Sequence, residues 1–82
     1  MRLPRDLSGR DLARSLEVLG YRISRQVGSH MRLTTSQGGE HHITIPDHDS
    51  LRVGTLSAII AEVAKHLDLS RDQIAQRIFG AR

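Results

Sequence analysis

Along residues 8–19, apolar side chains recur at Leu12, Leu16 and Leu19 while Arg10, Asp11, Arg14 and Glu17 fill the positions between, the spacing of one buried helical stripe. Ser8 suits an N-cap, with Asp11 three residues on as in a capping box, and Gly20 stands where a left-handed C-cap belongs. From Tyr21 the period drops to two. Tyr21, Ile23 and Val27 fall on one side of a strand over 21–27, with Arg22, Ser24 and Gln26 on the other. Gly28-Ser29 marks a turn into a second strand, His30–Thr35, where Met31 and Leu33 alternate with His30, Arg32 and Thr34. Ser36–Glu40, with its Gly-Gly pair, reads as a hairpin loop before a third strand, His41–Ile45, which Pro46 stops. A polar loop over 47–54 leads to a helix from Thr55 to His66. A shorter helix over Ser70–Phe79 opens with the Ser70/Gln73 capping box, carries Ile74 and Ile78, and ends at Gly80.

Helix, three-stranded meander, helix and short helix make an α+β fold. Such a sheet buries one face against helices and leaves the other in water. Parity assigns Tyr21, Ile23, Met31, Leu33, Ile43 and Ile45 to the buried face, and Arg22, Ser24, Gln26, His30, Arg32, Thr34, His42 and Thr44 to the open one. Arg25 falls on the buried side by the same count and is expected at the sheet rim. No internal repeat, linker or low-complexity tract interrupts the chain, so residues 1–82 are read as one domain. At this length folding buries only about 60–65% of the unfolded surface, and the core is thin.

Composition narrows the function. There are no cysteines, which removes disulfides and thiolate metal sites. The longest apolar stretch, around Leu56–Ala64, is broken by Ser57 and Glu62 and is too short to span a bilayer. Met1–Asp6 has no apolar segment behind it, so no secretion signal and no membrane association are expected, and the expected location is the cytoplasm. The net charge is +3, and eleven of the twelve basic residues are arginine, whose planar fork suits phosphate. The excess lies in residues 1–46, while residues 47–82 balance to zero, so a polyanionic partner is expected for the N-terminal half. Tyr21 and Phe79 are the only aromatics, too few for base stacking; any RNA contact must be mainly to the backbone.

Gly28-Ser29-His30 is the most informative tripeptide. A tight turn offers backbone N–H groups to a phosphate oxygen, and an adjacent histidine, with an ordinary pKa of about 6.5, can move a proton near neutrality. The same residues also fit an ordinary hairpin turn followed by a polar strand residue, and taken alone that reading is the commoner. His41-His42 and Asp47-His48-Asp49 invite a metal site. Adjacent strand residues point to opposite faces, however, and no H-E-x-x-H spacing is present, so solvated histidines are the simpler reading and no metal is expected. The carboxylates form no dyad, and Ser29 lacks the third member of a triad. The two C-terminal helices loosely suggest a helix-turn-helix, but their neutral charge favours core packing over DNA binding.

The segments PRDLSGRDLARSLEVLGY, RQVGSH, ITIPDHD, VGTLSAII and LSRDQIA resemble, in order and spacing over about residues 4–79, the HicA (YcfA-like) mRNA interferase toxins of bacteria. G-S-H after the first strand and G-T-L opening the second main helix are the most telling pieces. The resemblance implies a double-stranded-RNA-binding-domain-like α-β-β-β-α sandwich, endonucleolytic cleavage of mRNA that halts translation, and a HicB-type antitoxin that covers the active face. It assigns the catalytic role to His30 and so reverses the preference for a plain turn. The chain departs from the family in using arginine where members are often rich in lysine, and in the added helix over Ser70–Phe79.

The resulting expectation is RNA lying across the open face, its phosphates held by Arg22, Arg32 and the Gly28–Ser29 turn, with Arg25 joining from the rim. His30 acts as base on a 2′-OH or acid on the leaving oxygen, His42 is the candidate for the complementary role, and no cofactor is expected. Two rivals remain: a non-catalytic RNA-binding module of the same fold, and an interaction or DNA-binding protein working through its C-terminal helices.

Overall fold

A computed structural model describes residues 3–80; Met1, Arg2, Ala81 and Arg82, included in the single-domain reading, lie outside it. The elements follow the expected order: α1 (Gly9–Ser15) continued by a 3-10 turn over Leu16–Leu19, β1 (Arg22–Val27), β2 (His30–Thr35), β3 (His41–Pro46), α2 (Val53–Leu67) and α3 (Arg71–Phe79). The strands form one open antiparallel sheet in the order β1-β2-β3, giving the α+β, double-stranded-RNA-binding-domain-like α-β-β-β-α layout.

The caps follow the sequence signals with one exception. The Ser8 hydroxyl accepts from the Asp11 N–H, Gly20 takes a left-handed φ of 83°, and the Ser70/Gln73 box is complete. Asp11 does not complete its own box; its carboxylate accepts from Arg14 instead. Pro46 pairs at the end of β3 rather than lying beyond it. The missing N–H is tolerated because β3 is an edge strand.

The core joins Leu12, Leu16 and Leu19 to Met31, Leu33, Ile43 and Ile45 of the sheet and to Leu56, Ile60, Val63 and Ile74 of the last two helices. α1 and α2 both pack against β3. β1 runs past the margin of this helix layer, and all six of its residues are exposed. Ile23, expected in the core, is therefore 45% exposed. Thr35, fully buried on β2, is satisfied by donating to the Leu19 carbonyl and accepting from the Gln37 N–H.

A bulge interrupts β1. Ile23 pairs with Leu33 but Arg25 pairs with Arg32, so Ser24 is the extra residue. One inserted residue reverses the faces of everything after it. Arg25, expected at the rim on the buried side, is on the open face opposite Arg32, and Val27 joins it there opposite His30, 61% exposed. Gln26, expected on the open face, instead shares the helix side with its partner Met31 and bonds to Arg10 of α1.

Candidate nucleic-acid interface

His30 opens β2, the central strand, with Val27 on one side and Pro46 on the other as direct cross-strand neighbours. It is exposed, and its ring makes no hydrogen bond or ion pair among the described residues. The preceding turn has Gly28 at φ +58°, while Ser29 keeps a negative φ, the pattern of a type II′ hairpin. The Ser29 carbonyl accepts from the Asp47 N–H at 2.7 Å, so the turn is tied to the segment leaving β3.

Two residues along the same face, Arg25 and Arg32 stand opposite each other. No carboxylate pairs with either among the described residues, nor with Arg22, which sits farther along β1 opposite Thr34. Arg22 also lines a shallow groove between α1 and the β1 edge, together with Arg10 and Arg14. Arg25 and Arg32 thus place two positive charges beside His30, and Arg22 extends this cationic strip to the sheet edge.

His42 is on the open face as its parity requires, opposite Thr34, but it is half-buried and engaged at both nitrogens. Nδ1 meets Thr34 Oγ1 at 2.8 Å, Thr34 in turn meets Ser24 Oγ at 2.7 Å, and Nε2 meets Glu40 Oε2 at 2.9 Å. This chain of bonds crosses all three strands. With both nitrogens hydrogen-bonded, His42 is a member of a network that braces the sheet.

The adjacent histidine has a different setting. His41 pairs with Thr35 on the helix side, so the two neighbours do point to opposite faces. Among the described residues, no three His, Cys, Asp or Glu side chains are grouped so as to hold a metal ion. The expectation of a solvated histidine fails for His41, which is half-buried. Its Nδ1 is 2.8 Å from the hydroxyl of fully buried Tyr21, and its ring stacks on His66 with centroids 4.3 Å apart. Burial, with a further contribution from the Glu62 carboxylate, pushes the Tyr21 hydroxyl up to about 12, so it stays protonated and shares one hydrogen bond with His41 Nδ1. Burial first, then the neighbouring His66, holds His41 below the usual histidine value, while Glu62 pulls the other way. His66 Nε2 donates to the Gln37 and Gly39 carbonyls at 2.8 and 3.1 Å, which ties the β2–β3 loop to α2.

Three residues around the turn escaped the sequence reading. Asp47 Oδ2 accepts from Arg10 and from Gln26 Nε2, each at 3.0 Å, and Gln26 Nε2 also donates to the Gly28 carbonyl at 3.2 Å. Parity had sent Gln26 to the other face. The one local hint is Arg25, a charged residue at an inward-facing position, which fits a bulge or an edge strand equally and fixes neither.

No helix among the described residues is long and apolar enough to cross a membrane. Over residues 9–69 the chain matches a family model described as HicA toxin of bacterial toxin–antitoxin. No curated protein and no solved structure matches it significantly.

Proposed function

The chain belongs to the HicA toxin family of bacterial toxin–antitoxin systems, and from that premise we propose that it is a metal-independent endoribonuclease that cleaves mRNA and so halts translation. The observation that carries this reading is the directly opposed pair Arg25 and Arg32, unneutralised among the described residues and one same-face step along the ladder from His30 on the open side of the sheet. Like charges set opposite each other on a sheet cost folding energy, so a polyanionic ligand is what accounts for them. The cationic strip follows a phosphate backbone, and the scarcity of aromatic side chains leaves little means of reading bases by stacking.

In the proposed reaction the ribose 2′-oxygen attacks the adjacent phosphorus and the bond to the 5′-oxygen breaks. The products are a 2′,3′-cyclic phosphate and a free 5′-hydroxyl. His30 carries the proton at one end of this displacement, off the 2′-OH or onto the leaving oxygen, a contribution of about 10²–10⁴ in rate. Arg25 and Arg32 stabilise the charge that develops on the phosphorane oxygens, and Arg22 holds a flanking phosphate. His42, held at both nitrogens, supports the sheet beneath the RNA and contributes to binding. A toxin of this family has a cognate antitoxin; a HicB-type protein covering the open face would shield His30 and the arginines together.

The test is RNA cleavage in EDTA by the wild type and by His30→Ala. Wild-type cleavage that the variant loses, with an unchanged unfolding transition, is the expected result. Intact RNA in both, with binding retained, would leave a non-catalytic RNA-binding module.

A further inference from the structure

The Gly28–Ser29 turn is held from the helix side. Gln26 reaches that side only because of the bulge at Ser24, and from there its amide Nε2 donates to the Gly28 carbonyl at 3.2 Å. The same amide donates to Asp47 Oδ2 at 3.0 Å, and Arg10 on α1 bonds both partners, Asp47 Oδ2 at 3.0 Å and Gln26 Oε1 at 3.3 Å. Asp47 adds its own backbone N–H, donated to the Ser29 carbonyl at 2.7 Å. The two carbonyls of the turn are thus both taken, one by a side chain and one by a main chain. All the groups involved come from α1, β1 and the segment after β3.

This fixes a direction. The Gly28 carbonyl and the Ser29 N–H belong to one trans peptide and point opposite ways. A carbonyl held on the helix side turns the Ser29 N–H toward the open face, where His30 and its neighbours lie. Hairpin turns of types I′ and II′ differ by a flip of this same central peptide, and a hydrogen bond to one orientation of the carbonyl selects that orientation. The Arg10–Asp47 pair is partly shielded, the carboxylate being 24% exposed, and keeps Gln26 from swinging away.

We propose that Arg10, Gln26 and Asp47 are positioning residues that lock the central peptide of the Gly28–Ser29 turn and so aim the Ser29 N–H at the RNA phosphate that reacts beside His30. The proposal rests on the RNA-cleaving reading above. None of the three touches the reacting atoms; each acts through the turn. A preorganised N–H donor supplies stabilisation where charge develops without reorganising during the reaction, and misplacing it by about 1 Å costs roughly 10²-fold in rate.

The experiment compares wild type, Gln26→Met, Asp47→Ala and the double variant. It measures the single-turnover cleavage rate, affinity for a 2′-O-methyl RNA that cannot be cleaved, the thermal midpoint, and the Ser29 amide resonance on titration with that RNA. The expected result is a loss of roughly 10²-fold in rate for either single variant, with affinity within about twofold of wild type. The double variant should lose no more than the worse single one, because both act on one peptide. The Ser29 amide should shift on binding in the wild type and stay unmoved in Gln26→Met. A variant that melts lower but cleaves at the wild-type rate would show a structural role only and overturn the proposal. A wild type that binds without cleaving would end the ribonuclease reading, and the amide alone would then decide: unshifted in the wild type, it overturns the positioning role as well.

Discussion

Arg25 and Arg32 face each other directly across the β1–β2 ladder, on the side of the sheet that no helix covers. A folded protein gains nothing from this arrangement in isolation. Directly opposed like charges destabilise a strand pair by about 0.2–1 kcal/mol. Stability and function are expected to pull apart here. Arg25→Thr should raise the unfolding midpoint in urea slightly while weakening RNA binding. It should also reduce the slope of log affinity against log salt by about 0.7, the value for one single-strand phosphate contact. An unchanged salt slope would remove Arg25 from the interface.

The attacking group in the proposed reaction belongs to the substrate. An RNA carrying a single 2′-deoxyribose on the 5′ side of the scissile phosphate should bind with unchanged affinity and resist cleavage at that position. Mass spectrometry of the products from the all-ribose strand should find a 2′,3′-cyclic phosphate. Cleavage at the deoxy position would require a different nucleophile and would take the proton transfer at the 2′-oxygen away from His30.

The His41–Tyr21–His66 cluster ties stability to pH. His41 is held below its ordinary value in the folded protein, first by burial and then by His66. The unfolded chain therefore binds more protons than the folded one once the pH falls below about 6.5, and stability declines on acidification. Above that pH both states are neutral at this residue and its contribution is flat. Urea denaturation at pH 7.5 and pH 5.5 should show a lower midpoint at the acid end. His41→Gln keeps an acceptor for the Tyr21 hydroxyl but cannot titrate, and it should flatten the part of the slope due to His41. An undiminished slope would assign the effect to other groups.

Gly9 begins α1 hard against the end of β3. A Cβ there would run into the Pro46 carbonyl, and the Gly9 N–H donates to the His48 carbonyl at 2.9 Å. Gly9→Ala should destabilise the fold by about 1–3 kcal/mol, despite alanine's better helix propensity, because backbone rather than a flexible side chain must move. Chemical denaturation reads this directly; a neutral or stabilising result would mean that α1 can lift off β3 freely. Asp47, which anchors the Gly28–Ser29 turn, follows Pro46, so cleavage should fall along with stability.

Much of this protein was legible along the chain. Leu12, Leu16 and Leu19 specify a helix because their spacing makes one stripe, and Met31, Leu33, Ile43 and Ile45 specify two strands because their alternation makes one face. The same alternation puts His30 and Arg32 on the exposed side, where they are found. The sequence also carried the motifs that identify the family. What it could not carry was register. A bulge adds one residue to β1 without leaving a local signature strong enough to count, yet it exchanges the faces of Arg25, Gln26 and Val27. The reach of the helix layer was equally invisible, because Ile23 has the composition of a core residue and is exposed only because α1 and α2 pack against β3. The pairing of Arg25 with Arg32, the contact of Gln26 with Asp47 and the burial of His41 against Tyr21 all join residues distant in sequence. Local propensity fixes the elements, but such contacts exist only once the strands have chosen their partners and the helices have settled on one face.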